Sequence, residues 1–294
     1  MDRHEAWTAL TAVALKSIEY GLPALTLPQK DCTKIMWPLL QGYLPKLGLN
    51  CHFPRDVLYG TVDKNGVGLK NIFLTQGINH ICSVVTHLWQ KTMTGHLIWQ
   101  CGEQLHLEIG TNSRILEDDY FDIEPLILTD SWIQFTWKFC AEYDIRVKTD
   151  ISTIPPRRLN NCCIMEAILQ AKVATPTELK WINQCRLYLR LFHVGDMATA
   201  NGTMLRKDII KGEFDGHMHR DFLWPLWQHP PSAAWTIWRC IIRLTFTDGI
   251  TLKLCQPLGN WLDFDSTKWE WFLNENNTSL FQHIGLSWSK YSKH

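Results

Sequence analysis

The sequence has no surplus of either charge, no long apolar run and no paired-cysteine motif. Its 29 Lys and Arg balance 29 Asp and Glu, so no broad positive field gathers nucleic acid around it. That disfavours a tight, autonomous nucleic-acid binder and leaves room only for a local basic groove. No stretch approaches the roughly 18 apolar residues of a membrane span, so no membrane association is expected. The ten cysteines (32, 51, 82, 101, 140, 162, 163, 185, 240 and 255) are irregularly spaced and contain no Cys-x-x-Cys. They read as free thiols of a reducing, intracellular compartment, cytoplasmic or nuclear. Asp2-Arg3-His4-Glu5 makes a polar opening, so no secretory leader is expected there. No repeat of fixed period and no low-complexity tract is present.

What is present is core-forming material. Hydrophobic residues make up 46% of the chain, and 15 are tryptophan, enough for one large domain or two ordinary ones. Asp2 with Glu5 is a capping box, followed by Trp7, Leu10, Ala14 and Ser17 at helical spacing. A second helix is expected from Thr26, with Gln29 at the capping-box position and Pro38 inside it. Its apolar face is Cys32, Ile35, Met36, Leu39 and Leu40. Glycines and prolines make 42–70 a turn-rich connection. Helices then follow over about 71–89 and 94–110, the latter stopped by Gly110. The acidic, irregular stretch 111–130 marks a domain boundary.

Beyond it, Trp132 to Tyr143 and Asn161 to Lys172 read as amphipathic helices. Thr175-Pro-Thr-Glu178 opens another with an N-cap, a proline at N1 and a capping-box Glu. After Asn201-Gly202 the pattern changes, and from about residue 236 it reads as β-rich. Ile241–Phe246 and Ile250–Leu254 flank Asp248-Gly249, a hairpin signal, and Trp269–Leu273 with Ser279–Ile284 form a second candidate hairpin. The expected class is therefore α+β: a mainly helical N-terminal two-thirds, then an antiparallel β-hairpin-rich, Trp-rich C-terminal third.

Several constellations bear on chemistry. Asp263-Phe-Asp265 sets two carboxylates on one side of an extended segment, and His217-Met-His219 sets two imidazoles alike. Together they outline a metal-dependent hydrolase as one alternative, although a plain loop accounts for the aspartates more simply. His80, Cys82 and His87, or Cys101 with His106, lack the two-by-two spacing of a zinc site and fall on apolar faces. Gly66-Val-Gly68 lacks the third glycine of a dinucleotide loop and is read as backbone geometry. No Gly-x-Ser-x-Gly elbow occurs. Pro155-Pro-Arg157-Arg158 is a short basic extended patch, and the C-terminal tryptophans are expected in the core rather than as base-stacking platforms.

One series of segments has a likeness to a known family: Leu-Lys-Ser-Ile-Glu-Tyr at 15–20, Phe-Pro-Arg-Asp-Val-Leu-Tyr-Gly at 53–60, Gly-Val-Gly-Leu at 66–69 and Gln-Gly-Ile-Asn-His at 76–80. Their order and spacing resembles the segment that follows the palm of non-LTR retroelement reverse transcriptases. Thr94-Gly95, Glu103, Glu108 and Gly110 extend the match. The remainder looks similar to the region that follows in such reading frames, through Cys185-Arg186-Leu-Tyr-Leu189, Asp196, Asn201-Gly202, Pro257-Leu-Gly-Asn-Trp261, Trp269, Trp271-Phe272 and Trp288.

The resemblance implies a thumb-like helical region over 1–110 and a retroelement C-terminal region over 111–294, helical to about 200 and β-rich from about 236. It implies weak contact with RNA–DNA or RNA duplex through Arg55, Lys64, Lys70, Gln76 and His80. The palm's aromatic-x-Asp-Asp turn is missing, since Asp118-Asp119 precedes its aromatic. No catalytic residue, metal site or cofactor is therefore expected. The alternative is a host protein-interaction module, or a decayed retroelement remnant without activity.

Overall fold

The computed structural model of the chain describes residues 2–151, 154–213, 224–225, 228–262, 271–273, 280–284 and 287–290, with side chains only as far as 262. The helices, in chain order, are α1 (Arg3–Thr8), α2 (Leu15–Glu19), α3 (Gln29–Tyr43), α4 (Arg55–Tyr59), α5 (Ile72–Trp89), α6 (Met93–Ile109) and α7 (Tyr120–Ile123). Then come α8 (Trp132–Glu142), α9 (Ile164–Ala171), α10 (Pro176–Tyr188), α11 (Val194–Met197), α12 (Lys207–Lys211) and α13 (Ser232–Phe246). A π-helical stretch, Ala9–Ala14, joins α1 to α2.

The chain is mainly helical, which corrects the expected α+β class. Ile241–Phe246, expected as a hairpin arm, is the C-terminal part of α13, whose buried stripe is Ala234, Trp235, Trp238, Ile241, Ile242 and Phe246. A short run of Ile and Phe fits a strand and a buried helix equally. The tryptophans one and two turns earlier decide for the helix. Ile250–Leu254 forms no strand; only single bridges, Met204↔Lys253 and Thr247↔Leu254, occur there. After 262 three short stretches of backbone, Trp271–Leu273, Leu280–Ile284 and Ser287–Lys290, pair antiparallel in the registers Phe272↔Phe281 and Gln282↔Ser289. The turn Asn274–Thr278 of the second candidate hairpin lies outside the described residues.

The chain divides into two compact units: 1–101 with 130–149, and 102–129 with 150–294. The core of the first is built from Leu10, Leu15, Leu22, Cys32, Met36, Leu40, Leu44, Leu58, Leu69, Ile72, Phe73 and Phe139. Asp2 and Glu5 form the capping box that starts α1. Asn71 caps α5 through bonds from the Phe73 and Leu74 amides. Phe73 meets Phe135 and Phe139 edge-on, with ring centroids 6.3 and 5.6 Å apart. A Cβ on Gly77 of α5 would overlap the Phe139 ring, so glycine there lets α5 and α8 close up. A Cβ on Gly66 would overlap the Gly60 carbonyl. The segment 67–69 is laced back to α4 and Gly60 by Val67 N–H to Val57 O, Gly68 N–H to Gly60 O and Leu69 N–H to Leu58 O, at 2.9, 2.8 and 3.0 Å.

In the second unit Thr175 and Glu178 form the capping box of α10. α10 packs on α13, and the fully buried Trp238 donates from Nε1 to the Ile209 carbonyl at 3.4 Å. Arg186 of α10, 0% exposed, organises the interior of this unit. Its guanidinium donates to the carbonyls of Leu107 and Glu108 at 2.6 and 2.7 Å, to Leu191 O at 2.8 Å and to Asn183 Oδ1 at 2.8 Å. Leu107 and Glu108 carry two of the last four carbonyls of α6, which have no partner within their own helix. Arg186 therefore supplies both donors and a cation at the negative end of that helix.

Candidate nucleic-acid interface

The residues proposed to face nucleic acid separate into two kinds. Gln76 and His80, on one face of α5, are both fully buried. The Gln76 amide binds Leu27 twice: Oε1 accepts from Leu27 N–H at 3.1 Å, and Nε2 donates to Leu27 O at 3.0 Å. His80 Nε2 donates to the Leu22 carbonyl at 3.2 Å, leaving Nδ1 as the acceptor side toward Thr136 Oγ1 at 3.3 Å. Burial lowers the His80 pKa below the usual range, so the ring is neutral near pH 7. These two residues hold the segment 22–27 against α5; neither presents a polar atom to solvent.

Lys64 and Lys70 are exposed, whereas Arg55 is half-buried, its Nη1 buried without a hydrogen-bond partner. Lys64 ends the exposed turn Val62–Lys64. Lys70 lies 3.2 Å from Glu19, which also pairs with Lys16 at 2.6 Å. Arg55, half-buried at the start of α4, donates from Nη2 to Cys51 O at 3.1 Å. Its guanidinium carbon lies 5.7 Å from the centroid of the Trp37 ring, within cation–π range. His52 lies beside the same indole, centroids 6.1 Å apart.

Trp37 and His52 were not among the expected residues. The signal for Trp37 is in the periodicity of α3. Cys32, Met36 and Leu40 are its buried stripe, and Lys30, Lys34, Trp37 and Gln41 run along an exposed flank at i, i+4, i+7 and i+11, with Trp37 nearest the buried side. Ile35, expected in the core, is 37% exposed. The sole acidic residue of α3, Asp31, pairs with Lys34 at 2.8 Å. Nearby in sequence, Lys46 sits 5.7 Å from the Tyr43 ring centroid. The indole of Trp37 is thus covered by Arg55 and His52, and the charges around it are mixed, with Lys34 paired to Asp31 and Asp56 exposed beside Arg55.

The other constellations resolve as follows. Asp119 caps α7 by accepting from Phe121 N–H at 2.9 Å, and Asp118 accepts from Arg114 N–H at 2.7 Å. Arg158 of the basic patch is 5% exposed. It donates to Gly259 O at 3.0 Å and Ala200 O at 2.9 Å and lies 4.8 Å over the Trp261 ring. His87 Nδ1 is 3.0 Å from Thr92 Oγ1, and Cys82 and Cys101 are exposed. Among the described residues no group of three or more His, Cys, Asp or Glu is placed to hold a metal ion. His217, His219, Asp263 and Asp265 lie outside the described residues. Among the described residues no helix is long and apolar enough to cross a membrane.

Comparison with protein-family models, with curated proteins and with solved structures finds no match.

Proposed function

We propose that this chain is a non-catalytic C-terminal portion of a retroelement reverse transcriptase, and that its first unit touches template–primer nucleic acid through exposed cations. The observation that carries the reading is where the resemblance residues lie. Gly60 and Gly66 make the backbone crossing of 53–69, and Gln76 and His80 hold the 22–27 segment. Arg186 closes the end of α6, and Asp196 accepts from the Phe192 and His193 amides, both at 2.8 Å. Gly259 and Trp261 are bound to Arg158. The likeness is thus carried by residues that support an architecture, which is the pattern expected of a shared scaffold. Burial of Gln76 and His80 narrows the contact set to Arg55, Lys64 and Lys70. An intracellular setting accords with ten thiols that form no disulfide.

The test is binding of a labelled RNA–DNA hybrid by fluorescence anisotropy. Two or three phosphate contacts should weaken affinity roughly 10- to 40-fold between 50 and 200 mM salt. Absence of binding at 20 mM salt would remove the nucleic-acid role.

A second reading, a protein-interaction module, has its own observation. α5 contains no Asp, Glu, Lys or Arg, and Ile78 (53% exposed), Cys82, Val85 (52%) and Trp89 (87%) line its open side. Their 4–3–4 spacing is that of a coiled-coil seam, and an uncharged stripe of this kind marks an interaction surface. Val85→Glu should abolish capture of any partner that the wild-type chain retains. A partner captured equally by both would take this surface out of consideration.

A further inference from the structure

We propose that α5 pairs with α5 of a second copy of this chain, antiparallel, through Ile78, Cys82, Val85 and Trp89. The inference rests on the protein-interaction reading above and goes further by naming the partner and its orientation. Three observations carry it. The four residues run along α5 on the side away from its buried line, Phe73, Gln76, Gly77, His80 and Val84. Numbered as a heptad they fall at d, a, d and a, the seam positions of paired helices.

The second observation is the lack of charge beside that seam. Its flanking positions are Asn79, Ile81, Thr86 and Leu88. Charges at such positions set partner choice in paired helices. A seam without them offers nothing to a charged partner and meets its own copy without like-charge repulsion. Between Asn71 and Gly102 the one charged residue is Lys91, beyond the end of α5. A helix that lies on lipid carries Lys and Arg on its polar side, and α5 has neither.

The third observation is side-chain size, which sets the orientation. A parallel pair would place Trp89 on Trp89 and Cys82 on Cys82, crowding one layer and hollowing another. An antiparallel pair places Trp89 of one copy on Ile78 of the other, and Cys82 on Val85. Each layer then sets a larger side chain against a smaller one. The four seam side chains offer roughly 300 Å² per copy. With their flanks, two copies would bury about 1,000 Å², the size of a weak, concentration-dependent dimer.

Sedimentation equilibrium of the full chain under reducing conditions tests the pairing. The average mass should rise toward twice that of the chain between roughly 5 and roughly 200 µM. Ile78→Lys and Trp89→Glu should each weaken self-association about tenfold or more. Mixed in equal amounts, the two variants should regain most of it. An antiparallel pair sets the new ammonium against the new carboxylate and keeps one Trp89–Ile78 contact, whereas a parallel pair holds the two charges apart. A wild-type chain that stays monomeric over this range would overturn the pairing, and the Val85→Glu capture test would still decide the interaction reading separately. Self-association that neither variant weakens would place the contact elsewhere and overturn it too. Variants that weaken it without rescuing each other would overturn the antiparallel arrangement. The wild-type concentration series gives its answer without relying on any variant to fold.

Discussion

Arg186 and His106 show how the second unit treats polar side chains in its interior. Burial pushes the Arg186 guanidinium down to about 9, still high enough to keep it protonated at neutral pH. Its bonds go to buried oxygens, of which Glu108 O alone also receives Asn183 Nδ2, at 2.8 Å. Arg186→Met should therefore cost about 3–5 kcal/mol, because it strands buried acceptors at the end of α6. Arg186→Lys should recover only part of this, since one ammonium cannot span the same forked set. Urea titration checks both, and a loss under 1 kcal/mol for Arg186→Met would refute the capping role. His106 is the opposite case. It is 1% exposed, neither ring nitrogen makes a well-formed hydrogen bond, and burial, only partly offset by the Thr111 backbone, lowers its pKa to about 4. The unfolded chain takes up this proton near 6.5 and the folded chain only near 4. The contribution is therefore complete above 6.5 and lost as pH falls toward 4, at roughly 1.4 kcal/mol per pH unit. His106→Leu should flatten the fall in urea midpoint between pH 7 and 5. An unchanged pH slope would mean that other groups govern acid sensitivity.

At the scale of elements, close approach and capping do the positioning. An alanine methyl at Gly77 would enter the Phe139 ring. Gly77→Ala should thus destabilise the first unit by about 1–3 kcal/mol through overpacking, although alanine is the better helix former. A stability gain in thermal melts would show that α5 and α8 have room to spare. The caps that drive several of these helices are legible in the sequence: Asp2 with Glu5 and Thr175 with Glu178 are local pairs whose chemistry needs no tertiary knowledge. α13 is not legible in the same way. It starts at Pro231 without a side-chain cap, and Asp248-Gly249 just beyond it imitates a hairpin turn. The Asp248 carboxylate instead accepts from the Ile250 and Thr251 amides, at 3.0 and 2.6 Å. Gln76 and His80 mislead for a related reason. A polar residue on a helix face reads as exposed until the chain it binds, here Leu22 to Leu27, is known to pass over it. Trp37 is the reverse, an aromatic that composition assigns to the core and only the phase of α3 assigns to the surface.

At the scale of the whole molecule, the division of the chain carries the last expectation. The first unit is discontinuous: 130–149 returns to it after an excursion of the chain. That return brings α8, whose Phe139 belongs to the core with Phe135 packed against it. Trp132 of the same helix donates from Nε1 to Pro23 O at 2.9 Å, and Thr136 faces His80. A fragment cut at residue 110 keeps every segment of the N-terminal resemblance yet lacks this helix. Its Phe73 and His80 would then face water, and His80 would lose the bond to Thr136. Such a fragment should retain helical circular dichroism, unfold in urea with a shallow, broad transition, and bind a hydrophobic dye. The intact chain should unfold steeply by the same measure. Adding 130–149 back as a separate peptide should sharpen the fragment's transition, because it restores Phe135 and Phe139 to the ring cluster around Phe73. A fragment that already unfolds steeply alone would mean that α8 contributes little to this core. The tertiary contacts of Phe139 with Phe73 and Gly77 would then have to be energetically minor despite their closeness.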